Sequence, residues 1–237
     1  MKLNIKLLLG IIYIICFSIL IFIVFSYVEL EDLTNFTFIE DHKTSLDFYK
    51  NNNQFLLLFI FFIFSTVWVL LLGFGSPLAL LGGFIFGKWV GTLISVVSFS
   101  LGSLLLYTLA NLFLKDIIKE KLSKKIDKFK YLFNKDELLY FTLFRLTGGG
   151  GIPFGIQNIL PVIFNMKSKN YFLATFIGLI PSVFIISALG SGFEKYISYK
   201  QSIIWSELLF EPEIYLPILG FIFFCILTFF LKKFFFK

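Results

Sequence analysis

The sequence is poor in the side chains that carry most enzyme chemistry. No Asp or Glu occurs between residues 54 and 114, or between 138 and 190. His42 is the only histidine and lies in an acidic stretch, and the two cysteines, Cys16 and Cys225, both sit in apolar runs. These absences argue against a Ser-His-Asp or Cys-His active site, a disulfide framework and a His- or Cys-ligated metal. An enzyme is not expected, and neither catalytic residues, cofactors nor a metal site are assigned. The run of four glycines is not followed by Gly-Lys-Ser/Thr, which removes a nucleotide phosphate loop, and no potassium-filter sequence is present. Arginine is as scarce as histidine: Arg145 is the only one, and every other basic residue is lysine.

What fills the chain instead is apolar. Of 237 residues 58% are hydrophobic and 20% aromatic, with 35 Phe and a mean hydropathy of +0.89. A soluble domain is about 45–50% apolar, so the chain reads as an integral membrane protein folded as one helical bundle. The net charge of +6 lies mostly in one lysine-rich segment between apolar runs and at the chain ends. There it reports orientation and headgroup contact rather than nucleic-acid binding. Membrane lipids are the expected partners; association with a second copy is left open.

Residues 7–28, preceded by Lys2 and Lys6 and not followed by a small-x-small cleavage site, read as a transmembrane anchor with its N-terminus inside. Residues 29–53 hold six acids against Lys43 and Lys50 and read as an outside loop. Its Asn35-Phe36-Thr37 triplet matches a glycosylation acceptor, a match common by chance. The apolar run 54–72 meets a break at Gly73, Gly75, Pro77 and Gly82, and a second long apolar run occupies 91–114. Residues 115–135 carry eight lysines, among them Lys119, Lys121, Lys124, Lys125 and Lys128, with apolar residues at spacings of three and four. That pattern predicts a basic amphipathic helix on an anionic, inside membrane face, or a plain inside linker.

The outside loop before residue 54 and the inside lysines after 114 demand an odd number of crossings. Residues 76–87 are too short to supply one, since a crossing needs about 20 residues. Parity closes if 54–86 is a re-entrant hairpin and 91–114 the crossing. The second half repeats this in the opposite sense: hairpin 137–165, broken at Gly148–Pro153, then crossing 170–190. An outside loop, 191–213, and a last crossing, 214–231, complete the chain. The expected fold is an all-α, polytopic membrane bundle with two opposed re-entrant hairpins in an inverted repeat. Its segments are 1–53 (anchor and loop), 54–192 (core) and 193–237 (loop and last helix). Inverted repeats of broken helices that meet near the midplane are found in transporters.

The order Pro77-x4-Gly82-Gly-Phe-x-Phe-Gly87, Gly91, Gly102, Phe141-x3-Arg145, Pro153-Phe154, Asn158, and Tyr171 to Pro181 ending in Gly190 resembles the DedA superfamily, also called SNARE-associated Golgi or VTT-domain proteins. The resemblance covers roughly residues 54–192. It implies opposed hairpins, a cell membrane location (the bacterial inner membrane, both termini cytoplasmic) and movement of phospholipids or polyprenyl phosphates across the bilayer. Arg145 falls at the family's arginine position. Two departures stand out: glycines replace the proline soon after that arginine, and the membrane acids of the proton-dependent members have no counterpart.

The candidate headgroup site is therefore Arg145, Gly148, Gly149, Gly150, Gly151, Pro153 and Asn158. A guanidinium binds phosphate oxygens in a planar fork, and a glycine tract can offer bare backbone N–H groups. Gln157 and Thr147 either add neutral hydrogen bonds to a headgroup or cap the hairpin itself. The plainer alternative has Arg145 reaching the headgroup layer and the glycines forming a loose surface loop. Two other functions fit the same residues: a secondary transporter of a small anion or metal, and a non-transporting assembly protein that uses the lysine helix.

Overall fold

The computed structural model describes residues 36–113, 135–199 and 204–235, with single positions 15, 18, 19, 115, 116 and 133. The expected anchor at 7–28, apart from those single positions, and Lys119, Lys121, Lys124, Lys125 and Lys128 lie outside the described residues.

The described part is all helical. Its elements are α1 (Phe36–Leu70), α2 (Gly75–Phe113), α3 (Glu137–Leu146), α4 (Phe154–Ile159), α5 (Ser168–Tyr199), α6 (Trp205–Leu208) and α7 (Pro212–Phe235). Short 3₁₀ turns, Gly148–Gly151 and Leu160–Phe164, flank α4. Four stretches are long and apolar enough to cross a membrane: Asn52–Leu70, Gly75–Phe113, Ser168–Tyr199 and Pro212–Phe230. The chain is a multi-pass membrane protein.

α1 is two helices joined at Asn53, whose φ/ψ of −143°/49° is not helical. Its polar half corrects the reading of 29–53 as a loop, because residues 36–52 are helical. The apolar half ends in a reverse turn at Leu71–Phe74. There the Gly73 amide donates to the Trp68 carbonyl (2.9 Å) and the Trp68 indole donates to the Phe74 carbonyl (2.9 Å). A Cβ at Gly73 would lie 2.2 Å from the indole nitrogen, so only glycine admits this closure. Pro77 sits in the first turn of α2, where its missing N–H costs nothing.

α2 is also two helices. Gly87, with φ +76°, reverses the chain, and residues 88–113 fold back on 75–86. The two limbs touch backbone to backbone, since a Cβ at Gly91 would stand 2.3 Å from the Gly82 carbonyl oxygen. The long helix thus begins at 88 rather than 91, and the break is the single glycine, not a linker.

α3 is capped by Asp136, whose side chain accepts from the Leu139 amide at 3.0 Å. After the glycine turn and α4, Asn165 in a left-handed conformation (φ +50°) stops the second 3₁₀ turn and releases the chain into α5. Glu137 holds this corner, accepting from Asn170 Nδ2 at 2.6 Å and from the Lys167 amide at 3.3 Å. α5 outruns its expected limits of 170–190, so residues 191–199 of the expected loop are helical, and α6 takes up 205–208.

α5 is the centre of the bundle. Small residues let it meet the 75–86 limb at backbone distance. A Cβ at Gly83 would be 1.9 Å from the Ser187 carbonyl, and one at Gly190 would be 2.0 Å from that of Leu80. The Ser187 hydroxyl donates to the Ala79 carbonyl at 3.0 Å. Two buried clusters flank this contact. One joins Val69, Leu78, Val96 and Phe99 to Leu179 and Val183; the other joins Tyr107 and Ala110 to Phe141, Leu160, Val162 and Tyr171. α7 keeps most of its Phe, Leu and Ile exposed, as a helix facing hydrocarbon does.

Candidate functional site

Arg145 lies in the last turn of α3 and is only 3% exposed. It does not reach outward to a headgroup layer. It lies against α5, with its Cβ where a side chain at Gly178 would be: a Cβ there would come within 2.4 Å. Gly178 is ten residues into α5, about 15 Å along the helix axis at 1.5 Å per residue.

Among the described residues, the guanidinium is held by neutral groups. Nη2 donates to Asn158 Oδ1 at 2.6 Å and to the Tyr171 hydroxyl at 3.1 Å, and Nη1 donates to Gln157 Oε1 at 3.2 Å. The Tyr171 hydroxyl in turn donates to the Asn158 backbone carbonyl at 3.1 Å. Aromatic rings close the remaining sides, with Phe141, Phe154 and Tyr171 centroids 4.9, 5.3 and 5.9 Å from Cζ. Such faces attract a cation, more so when it is out of water. Among the described residues no carboxylate reaches Arg145. Two buried donors have no acceptor, Arg145 Nε and Asn158 Nδ2.

Gln157 is the bridge between this charge and the hairpin turn. Its Nε2 donates to the Ile152 carbonyl at 2.7 Å and to that of Gly148 at 3.3 Å, while its Oε1 receives Arg145. The alternatives of headgroup contact and self-capping thus resolve towards capping in this conformation. Thr147 likewise bonds back to the Phe144 carbonyl at 3.1 Å. Of the glycines, Gly149 is buried beneath Gln157, whereas Gly148 and Gly151 are exposed, and Gly150 shares the same 3₁₀ turn. Pro153 is exposed and its carbonyl accepts the Ile156 and Gln157 amides, starting α4. The expected set thus divides into a buried part, Arg145, Gly149 and Asn158, and an outer rim, Gly148, Gly151 and Pro153.

The second break comes to the first. Gly155, at the start of α4, faces the turn at Leu72 so closely that a Cβ would stand 2.8 Å from Leu72 Cδ2. Gly73 belongs to that same turn; Gly75 packs under the Phe99 ring and Gly82 against Ser95 and Phe61.

Tyr171 and Gly178 were not singled out as site residues by sequence reasoning. Tyr171 carried a usable signal, being a polar-tipped aromatic in an apolar helix. Gly178 carried none, because a small residue in a membrane helix marks any close approach.

A family model for the VTT domain matches residues 69–192, more than half of the chain. The chain belongs to the VTT-domain family. The resemblance to the DedA superfamily seen in the motifs is thereby established. Among curated proteins, the VTT-domain chain is 26% identical over 167 residues to a transmembrane protein 41 homolog of Caenorhabditis elegans, covering 68% of this chain and 66% of that protein. It is 28% identical over 151 residues to the uncharacterized protein YqeD of Bacillus subtilis, covering 62% of this chain and 71% of that one. No solved structure matches it.

Proposed function

We propose that this VTT-domain protein moves lipids across the bilayer, handling a phosphate-bearing headgroup (of a phospholipid or a polyprenyl phosphate) at Arg145. The observation that carries this reading is a buried guanidinium with neutral partners only among the described residues, whose Nε, like the neighbouring Asn158 Nδ2, lacks an acceptor. Orphaned buried donors are rare and costly, and a lone intramembrane cation calls for an anion. A phosphate ester, diester or monoester, supplies both the charge and the oxygens. In the conformation described the site is shut, with Gln157 in the place a headgroup would take on Nη1. Opening requires the glycine turn to swing away, releasing Gln157 from the Gly148 and Ile152 carbonyls.

The architecture we propose is the pair of opposed re-entrant hairpins. Supporting it, the return limb 75–86 packs on α5, the long helix of the other half, at Ser187 and Gly190. Reciprocally, the return limb 160–163 packs on the long helix of the first half, at Tyr107 and Ala110. The two turns meet at Leu72 and Gly155. Lysines at 167, 169, 232 and 233 support a cytoplasmic side for the base of the second hairpin and for the C-terminus, and the bacterial inner membrane is the location that the DedA resemblance implies. The movement is non-covalent, and no side chain acts as a catalyst.

Lipid exchange in liposomes tests the function. We expect wild type to exchange a fluorescent phosphatidylglycerol between leaflets and Arg145→Ala to be at least about tenfold slower, the loss of roughly 1.4 kcal/mol. Equal rates would remove Arg145 from the path. Absence of exchange with every lipid tried would sink lipid movement and favour a solute cargo. The hairpin has its own test: Ser76→Cys labelled from the cytoplasm alone would defeat a dip from outside.

A further inference from the structure

At the end of α5 remote from Glu137, a cleft of about 360 Å³ opens between α5, α7 and the Gly87 turn. It is amphipathic. Lys88, Lys195 and Glu213 supply charge, and Phe184, Ala188 and Leu216 supply an apolar wall. Lys195 and Glu213 make a loose pair at 3.8 Å, both about half exposed. The Lys88 ammonium has no hydrogen-bond or ion-pair partner among the described residues. The lining of the cleft itself holds two lysines and one carboxylate, one positive charge in excess, while Glu211 joins Lys195 and Glu213 in the adjoining cleft.

The charge and the apolar wall are segregated along the helices. On α5 the wall residues precede Lys195 by roughly two to three turns; on α7 Glu213 precedes Leu216 and Gly220 by about one to two. Lys195 thus sits towards the end of α5, with the apolar wall running from it towards the bundle centre, and Lys88 stands beside that wall, its neighbour Trp89 packing on Phe184 with ring centroids 4.9 Å apart. Lys195 is 17 residues beyond Gly178, about 25 Å along α5, so the cleft is separate from the Arg145 network.

We propose that this cleft binds one anionic lipid from the surrounding leaflet, with its phosphodiester between Lys88 and Lys195 and part of one acyl chain along Phe184, Leu216 and Gly220. A soluble anion would use the lysines but leave the apolar wall uncovered. A neutral chain would cover the wall but leave the excess charge unmatched. The volume holds a phosphate and several methylenes, while the remainder of the chain stays in the bilayer. α7 lies outside the segment that matches the VTT domain, residues 69–192, so the lipid seals a joint between the domain and an added helix. The protein's own contact there is the Tyr196, Leu208 and Ile214 cluster, with Leu189, Phe193 and Ile218 packed against it, and the approach of Gly192 to the Glu213 carbonyl.

Native mass spectrometry of the full chain in detergent, with phosphatidylglycerol or phosphatidylcholine added, tests the proposal. We expect one phosphatidylglycerol to be held more tightly than any phosphatidylcholine. Lys88→Gln with Lys195→Gln should weaken that one site at least about tenfold. Gly220→Leu, at a position where a side chain meets nothing within 4 Å, should weaken it too by taking the space of the acyl chain without disturbing the fold. Unchanged affinity in both variants overturns the site. An equal loss from Lys167→Gln with Lys169→Gln, at the opposite end of α5, would mean diffuse surface charge and also overturn it. Competition by glycerol phosphate as strong as that by the intact lipid would overturn the role of the apolar wall.

Discussion

At position 178 only hydrogen fits beside Arg145. Gly178→Ala places a methyl 2.4 Å from the Arg145 Cβ, so the stem has to shift and the three guanidinium bonds go with it. Overpacking of this kind costs about 1–3 kcal/mol. The expected outcome is a lower melting temperature in detergent together with slowed lipid exchange. A variant that melts like wild type would show that the stem has room to move. The sequence made Arg145 legible through its uniqueness in an acid-free apolar stretch. It could not disclose the bond of Arg145 to Tyr171, because that bond joins residues 26 apart and arises only when α3 lies on α5.

The element that decides the site is the glycine turn, and its four members are not equivalent. Gly149 has φ +66° and sits under Gln157, so a Cβ would be 2.1 Å from the amide carbon; Gly148 has the same φ but open space around it. Gly148→Ala should therefore cost only the left-handed backbone, about 1–2 kcal/mol. Gly149→Ala should cost more and also push Gln157 off the Ile152 carbonyl. Amide hydrogen exchange across residues 148–158 distinguishes them: equal protection in the two variants would refute the difference. At this scale the turns at Gly73–Pro77 and Gly148–Pro153 were readable, since glycine and proline interrupt helices by known means. The reversal between 86 and 91 followed from parity, but not that Gly87 alone makes it, because several glycines lie near that point. The helical stretches 36–52 and 191–199 were missed for a related reason: their charged residues suited a loop as well as a helix outside hydrocarbon.

For the whole molecule, the meeting of the two turns is the feature with most at stake. A Cβ at Gly155 would lie 3.1 Å from that of Leu72, near the 3.5–4.5 Å spacing of about 3.8 Å typical of a disulfide. Leu72→Cys with Gly155→Cys, in a background with Cys16 and Cys225 replaced by serine, should therefore cross-link on oxidation. If lipid passage needs the turns to part, the oxidised protein loses exchange and regains it with reductant. Full exchange in the cross-linked protein would place the lipid path elsewhere. The assembly itself was legible in outline, as a helical membrane protein with two interrupted hydrophobic units. What could not be read was which limb packs on which helix, since that choice rests on the Gly83–Ser187 and Gly190–Leu80 contacts between distant segments.

The unpaired charge of Arg145 has an electrical consequence. A full elementary charge crossing the membrane potential exchanges about 2.3 kcal/mol per 100 mV. An empty site carries that charge and is pulled towards a negative interior; a site holding a monoanionic headgroup is neutral and feels no such pull. If the proposed lipid step carries Arg145 through the field, potential should act on the empty site and not on the loaded one. Liposomes clamped with a potassium gradient and valinomycin report this directly: exchange should change with voltage when lipid is scarce and lose that dependence when the site is saturated.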